Sequence, residues 1–321
     1  MTRQTRADGS LRHLLTLEGL SRTELERLLD RAQEYVRPLG ARPPVSRALA
    51  GVTVANLFTE PSTRTRVSFE LAAKRLGADV VNLEVQLSSR AKGESMLDTA
   101  FTLESLHVDV FVIRDAEAGV PELVAANAAP HVSVLSAGAG SVSHPTQGLL
   151  DALTIRQRKG RIAGLTIAIV GDIRHSRVAR SAWHALATLG VAELRVVAPP
   201  ALLPGDDEFR GASRHTDLDA GLRDADVVMM LRIQRERMQD EAQLQAADYF
   251  REFGLTTGRL RLAKPDALVM HPQPMNRGVE IASDVADGPQ SAIRDQVRNG
   301  VAVRMAVLAT VVRAGPNGGA A

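Results

Sequence analysis

Ser62-Thr63-Arg64-Thr65-Arg66 interleaves three hydroxyl groups with two guanidinium groups. It follows an apolar run, Val52 to Phe58, that reads as a strand. It leads into a run in which Phe69, Ala72, Ala73 and Leu76 recur at helical spacing, with Gly77 as a stop signal. The five residues therefore stand where a strand hands over to a helix. The first N–H groups of a helix have no partner within it, and the helix dipole is positive there. Hydroxyls add donors, and arginine adds a forked, permanent charge. The stretch reads as a cradle for a phosphate or a similar oxyanion. An ordinary N-cap, with Pro61 and Ser62 opening the helix and both arginines solvated, is the alternative local reading.

Similar residues follow the other strand-like runs. Val108–Ile113 ends at Arg114. Val132–Ser136 runs through Gly138-Ala139-Gly140 to His144-Pro145-Thr146-Gln147. Thr166–Val170 precedes Gly171-Asp172-Ile173-Arg174-His175-Ser176-Arg177. Val227–Leu231 ends at Arg232-Ile233-Gln234-Arg235-Glu236-Arg237, and Ala267–Met270 ends at His271-Pro272-Gln273-Pro274. In open parallel sheets, ligands bind beyond the carboxyl ends of the strands. Arg, His and Gln at that one end imply a wide, positively charged cleft for a substrate with several negative oxygens. No cluster of carboxylates and histidines suggests a metal, and the spacings of a Walker loop, a dinucleotide fingerprint and a nucleophile elbow are missing.

The elements that must carry these residues are short apolar runs separated by amphipathic ones. Further strand-like runs are Val80–Val85 and Leu194–Ala198. Helix-like runs include Ser95–Leu106, Val120–Ala128, Pro145–Ile155, Val178–Leu189, Leu218–Asp224 and Ser291–Val312. This alternation predicts an α/β protein with parallel sheets flanked by helices. The 321 residues exceed the size at which one core stops growing, so two domains are expected, with a break near His144–Lys159. Residues 1–13 read as a disordered or partner-bound arm. Ser21 and Glu24 form a potential capping box before Leu25, Leu28 and Leu29.

Composition narrows the function classes. Cysteine is absent, which removes disulfides, thiolate metal sites and a cysteine nucleophile together, and fits a cytoplasmic location. No run is long enough to span a membrane, and the polar start lacks a secretory signal, so no membrane association is expected. The 39 basic and 37 acidic residues nearly balance and aromatics are 3%, so nucleic acid is not an expected partner.

In this order, the motifs resemble the aspartate/ornithine carbamoyltransferase family. The family's S-T-R-T-R motif stands as Ser62–Arg66, and its H-P-T-Q as His144–Gln147. Its Lys-Gly-Glu loop stands within Ser88–Glu94, and its R-x-Q-x-E-R as Arg232–Arg237. Further matches are Gly171-Asp172…Ser176-Arg177 and His271–Pro274. The matches span roughly residues 50–310. Ornithine-using members carry H-C-L-P and accept a cation. Here the equivalent is H-P-Q-P, and Arg177, Arg232 and Gln234 suit a dicarboxylate. Gln273 departs mildly from the small or apolar residue usual there.

The resemblance implies two domains with the active site in the cleft between them. Residues 1–147, completed by a helix at 291–313, would bind carbamoyl phosphate, and residues 148–290 would bind aspartate. The activity implied is transfer of the carbamoyl group to the amino group of L-aspartate, a step of pyrimidine biosynthesis, without cofactor or metal. Ser62, Thr63, Arg64 and Thr65 would hold the phosphate. Thr65, Arg114 and His144 would donate to the carbonyl oxygen. Gln147 and the backbone carbonyls at Pro272 and Gln273, before a cis Gln273–Pro274 bond, would take the carbamoyl NH2. Arg177, Arg232 and Gln234 would hold aspartate. Ser88 and Lys92, with Lys92 also reaching aspartate, would come from the neighbouring subunit of a homotrimer. A dihydroorotase-like or regulatory chain is a further possible partner. The alternatives are a carbamoyltransferase for another amino acid such as ornithine, or a non-catalytic scaffold of the same fold.

Overall fold

The apolar runs become the strands of two separate parallel sheets. The structure, a computed structural model, describes residues 4–84, 93–205, 207–234 and 246–312. It divides into two compact units, Met1–Leu149 with Arg298–Ala321, and Leu150–Val297.

The first unit runs α1 (Arg22–Tyr35), β1 (Thr53–Phe58), α2 (Thr63–Arg75), β2 (Asp79–Glu84), α3 (Met96–Ser105), β3 (Val110–Asp115), α4 (Val120–Asn127), β4 (Ser133–Ala139) and the start of α5 (Pro145–Lys159). The strands are parallel in the order β2-β1-β3-β4. β4 is buried along its whole length, as expected of a strand covered on both faces. Leu57, Phe111, Ile113 and Val134 pack in one core cluster. The capping box at α1 forms: Glu24 N–H donates to the Ser21 hydroxyl (3.2 Å) and Ser21 N–H to Glu24 Oε2 (3.0 Å). Gly77, at φ 84°, stops α2 in a conformation that L side chains rarely adopt.

The amino-terminal arm differs from its expected disorder. From residue 4 it is bound to its own unit. The Leu14 N–H donates to Val134 O (3.0 Å) and Ser136 N–H to Leu14 O (2.8 Å), so the arm lies along the edge of β4. Arg12 donates to Val132 O and Ala128 O, and Arg6 to Val311 O. Val134 N–H donates to Nδ1 of buried His13 (2.9 Å). The polar residues that suggested disorder are hydrogen-bonding to backbone carbonyls that an open strand edge and a helix end leave without partners.

The second unit continues α5 and runs β5 (Thr166–Val170), α6 (Arg177–Thr188), β6 (Glu193–Val197), β7 (Ser213–His215), α7 (Leu218–Leu222), β8 (Val227–Met230), α8 (Ala246–Phe253), α9 (Thr257–Leu260), β9 (Leu268–Met270), α10 (Ser283–Ala286) and the start of α11 (Ile293–Val311). Its strands are parallel in the order β7-β6-β5-β8-β9. β7 is too short and too polar to be read from the sequence. The last helix is not wholly part of the first unit, because the second extends to Val297. There Gln296 accepts from His271 N–H (2.9 Å) and donates to Asp151 Oδ1 (2.8 Å), and Asp295 pairs with Arg158 (2.8 Å). Among the described residues, no helix is long and apolar enough to cross a membrane.

Each sheet reverses its winding once. In the first, β2 lies on one side of β1 and β3 on the other. In the second, β6 and β8 flank β5. At such a reversal the following loops part and leave a crevice beyond the strand ends.

Candidate active site

In the first unit, the reversal lies between β1 and β3, where the register pairs Phe58 with Arg114. Thr59 N–H donates to Arg114 O (3.0 Å), so Glu60 through Thr63 begin beside Arg114. The guanidinium of Arg114 is held from two sides. Its Nη1 donates to Ala137 O (3.2 Å) and its Nε lies 3.2 Å from Glu60 Oε2. Glu60 was not among the expected site residues. It fixes the orientation of the arginine that was.

Ser62 precedes α2 with an extended φ of −158° and makes no side-chain cap bond. Ser21, Ser95, Ser176, Asp217 and Thr256 all cap their helices. The hydroxyl of Ser62 is thus not committed to capping α2. Thr63 and Arg64 are exposed, Arg66 half-buried and Thr65 buried. His144, only 5% exposed, accepts from Gln147 N–H (2.9 Å) and Gly148 N–H (3.2 Å) as it opens α5. Gln147 is buried one turn on.

In the second unit, the reversal lies between β5 and β8. Gly171, at φ 130°, allows the loop after β5 to close on the loop after β8, for a Cβ there would lie 2.8 Å from Leu231 O. Arg177 opens α6 and is 6% exposed. Arg232 and Gln234 follow β8 and are half-buried. Two buried carboxylates fix that segment. Glu280 Oε1 accepts from Ile233 N–H (3.1 Å) and Asp172 Oδ2 from Gln234 N–H (3.4 Å). The Gln234 amide also donates to His175 O (3.1 Å), and His175 Nδ1 lies 2.9 Å from Asp172 Oδ1. Glu280 further accepts from Asn276 N–H and Asn276 Nδ2 (2.9 Å each), which ties in the loop after β9. Burial raises the pKa of Asp172 against the charge and hydrogen bonds of His175, and burial raises that of Glu280 against its amide donors.

The loop after β9 carries the cis Gln273–Pro274 bond that the resemblance implied, with Gln273 at φ 56°. Gln273 N–H donates to His271 Nδ1 (2.9 Å). β9 neighbours β8, so Pro272 and Gln273 stand at the same sheet end as Arg232. Ser88, Lys92 and the Arg235–Arg237 part of the motif lie outside the described residues.

A sequence signal that went unread supports these positions. α1, α3, α4, α7, α8, α10 and α11 each carry an acid in the first turn, where it offsets the dipole. α2, α5 and α6, which open at the expected anion-binding residues, carry none; the short α9 is the other exception. Positive ends reinforced with Arg64, Arg66 and Arg177 suit anions.

Each unit presents cationic and hydrogen-bond-donating groups at the reversal of a parallel sheet, the place where such sheets bind ligands. Residues 12–157 match the family described as aspartate/ornithine carbamoyltransferase, carbamoyl-P binding domain, and residues 163–311 match its Asp/Orn binding domain. The chain belongs to the aspartate/ornithine carbamoyltransferase family. Among solved structures, it is similar to aspartate transcarbamoylase from Trypanosoma cruzi in complex with carbamoyl aspartate and phosphate, at 35% identity over 94% of this chain and 96% of that one, TM-score 0.85. The same enzyme in complex with N-(phosphonacetyl)-L-aspartic acid matches at 34% over 96% and 98%, TM-score 0.86. Ornithine carbamoyltransferase from Pyrococcus furiosus matches at 33% over 94% and 97%, TM-score 0.81. The chain is a carbamoyltransferase.

Proposed function

We propose that the chain carbamoylates L-aspartate, giving N-carbamoyl-L-aspartate and phosphate for pyrimidine synthesis. The observation that carries the choice of acceptor is the placement of Arg177 at the start of α6, after β5, and of Arg232 just after the adjacent β8, with Gln234 held by Asp172 and His175. Guanidinium groups match carboxylates by charge-assisted hydrogen bonds and would repel the side-chain ammonium of ornithine.

In this reading, Ser62, Thr63, Arg64 and Thr65 hold the phosphate. Thr65, Arg114 and His144 donate to the carbonyl oxygen of carbamoyl phosphate, while Gln147 and the carbonyls of Pro272 and Gln273 accept from its NH2. The aspartate nitrogen attacks the carbonyl carbon through its lone pair, and negative charge grows on the oxygen facing those donors. The carbon–oxygen bond to phosphate then breaks, and phosphate departs with the electron pair and accepts the amine's proton. Catalysis rests on positioning and preorganised charge.

Ser88 and Lys92 are assigned to the neighbouring subunit's site in a homotrimer. What supports this is the edge position of β2 and the exposed apolar Val67, Leu71 and Val81 on α2 and β2. Full activity in a monodisperse monomer would sink the shared site. The acceptor is tested by incubating the protein with carbamoyl phosphate and either L-aspartate or L-ornithine and measuring phosphate release. Turnover with aspartate alone is expected, and turnover with ornithine alone overturns the assignment.

A further inference from the structure

The carboxyl-terminal helix buries a cation for which the expected roles give no use. Arg304, on α11, is 4% exposed. Its Cζ lies 4.9 Å from the centroid of the Phe69 ring, on the helix that begins with the anion cradle. Its Nη1 donates to Gly300 O (3.0 Å), and its buried Nε has no hydrogen-bond partner among the described residues. No carboxylate among the described residues pairs with it. The charge it does feel is that of Arg64, which is of like sign. Burial first, and Arg64 second, lower its pKa to about 9, so it remains charged at neutral pH.

A buried charge without an opposite partner is expensive, and a like charge within reach raises the cost. Stacking on Phe69 and one carbonyl offset part of it. A dianion held by Arg64 would offset much more, since Coulomb attraction is strongest where water is excluded. We infer that Arg304 is a positioning residue for the phosphate-bearing substrate, adding a buried positive charge behind the α2 cradle that is balanced only when the anion is bound. This inference rests on the reading of Ser62–Arg66 as the phosphate site.

The experiment compares the thermal shift induced by inorganic phosphate, and the KM for carbamoyl phosphate, in the parent, Arg64→Ala and Arg304→Met proteins. Methionine keeps much of the buried volume and removes the charge. The unliganded Arg304→Met protein is expected to melt at or above the parent, because an uncompensated charge is gone. Its phosphate-induced shift should fall to less than half that of the parent. KM for carbamoyl phosphate should rise at least ten-fold, with most of the loss in kcat/KM carried by KM. A merely structural arginine would give the reverse: a lower unliganded melting temperature with the phosphate shift and KM retained, which overturns the inference. No phosphate shift in the parent would instead remove the cradle reading itself. If Arg304→Met does not accumulate as folded protein, Arg304→Lys is compared with Arg304→Gln. Retention of the phosphate shift with lysine and its loss with glutamine supports the role, and equal shifts overturn it.

Discussion

At the end of β1, the proposed donors for an anion come from five consecutive residues on one strand-to-helix turn. At the ends of β5, β8 and β9, they come from three separate segments that the chain must bring together. The first arrangement needs little beyond a helix that starts in the right place with its cap left open. The second needs ties: Asp172 holds Gln234, and Glu280 holds both Ile233 and Asn276. Burying two carboxylates is unfavourable unless their oxygens receive N–H groups, which they do here. A local motif suits the phosphate, a compact group of fixed shape. A dicarboxylate acceptor must be measured across its length, and that requires loops held at fixed spacing.

The comparison breaks most readily at the cradle. Arg64→Ala should lower kcat by about 10²–10³-fold, the usual cost of one preorganised donor to developing charge. Thermal stability should change little, because Arg64 is exposed. An unchanged kcat would remove the cradle from the mechanism. The next largest effect is expected in the second unit. Arg232→Ala should reduce kcat/KM for aspartate by about 10²-fold, the scale of one lost charge-assisted pair. KM for carbamoyl phosphate should stay within about two-fold of the parent. Equal damage to both substrates would show that Arg232 is misassigned.

Glu280→Gln sharpens the contrast, since it leaves every proposed substrate-binding side chain in place. The amide can accept at one oxygen only, so either Asn276 N–H at Oε2, or Ile233 N–H together with Asn276 Nδ2 at Oε1, loses its partner. The expected costs are roughly 1–3 kcal/mol of stability and about a ten-fold rise in KM for aspartate. Phosphate-induced stabilisation, which reads the cradle alone, should be retained. Loss of phosphate binding in this variant would mean that the two sets of residues are not independent.

The difference in construction also explains what the sequence disclosed. The strands were legible because they are continuously apolar, and the proposed cradle at Ser62–Arg66 could be read at all because its chemistry is contiguous. Arg232 and Gln234 were legible as residues after a strand, but the ties that position them were not. Glu280 stands ten residues beyond β9, in a stretch with no periodicity, and only tertiary structure brings it to Ile233. Glu60, at the head of the same stretch, discloses no role in sequence, because its partner Arg114 is remote in the chain. The amino-terminal arm failed for a related reason. Its polar composition fits disorder equally well, and the backbone groups it bonds, at Val132, Val134 and Val311, are remote in sequence.

The smallest effect concerns pH, and it has opposite signs at His13 and at the buried carboxylates Asp172 and Glu280. In the first unit, burial and the nearby charges of Arg12 and Arg6 lower the pKa of His13 from 6.5 to about 4. The unfolded chain therefore binds the proton more readily than the folded one. The contribution of His13 is full above pH 6.5 and is lost as pH falls towards 4. In the second unit, burial raises the pKa of Asp172 and Glu280, so the folded chain takes up their protons first and these two groups favour folding as pH falls through that range. His13→Asn separates the two effects, because its side-chain oxygen can accept from Val134 N–H but cannot be protonated near neutrality. Above pH 6.5 the melting temperatures of parent and variant should differ by a constant amount. Between pH 6.5 and 4 the difference should move steadily in the variant's favour. A difference that stays constant down to pH 4 would show that the arm remains bound with His13 charged, and that the acid sensitivity of the first unit lies elsewhere.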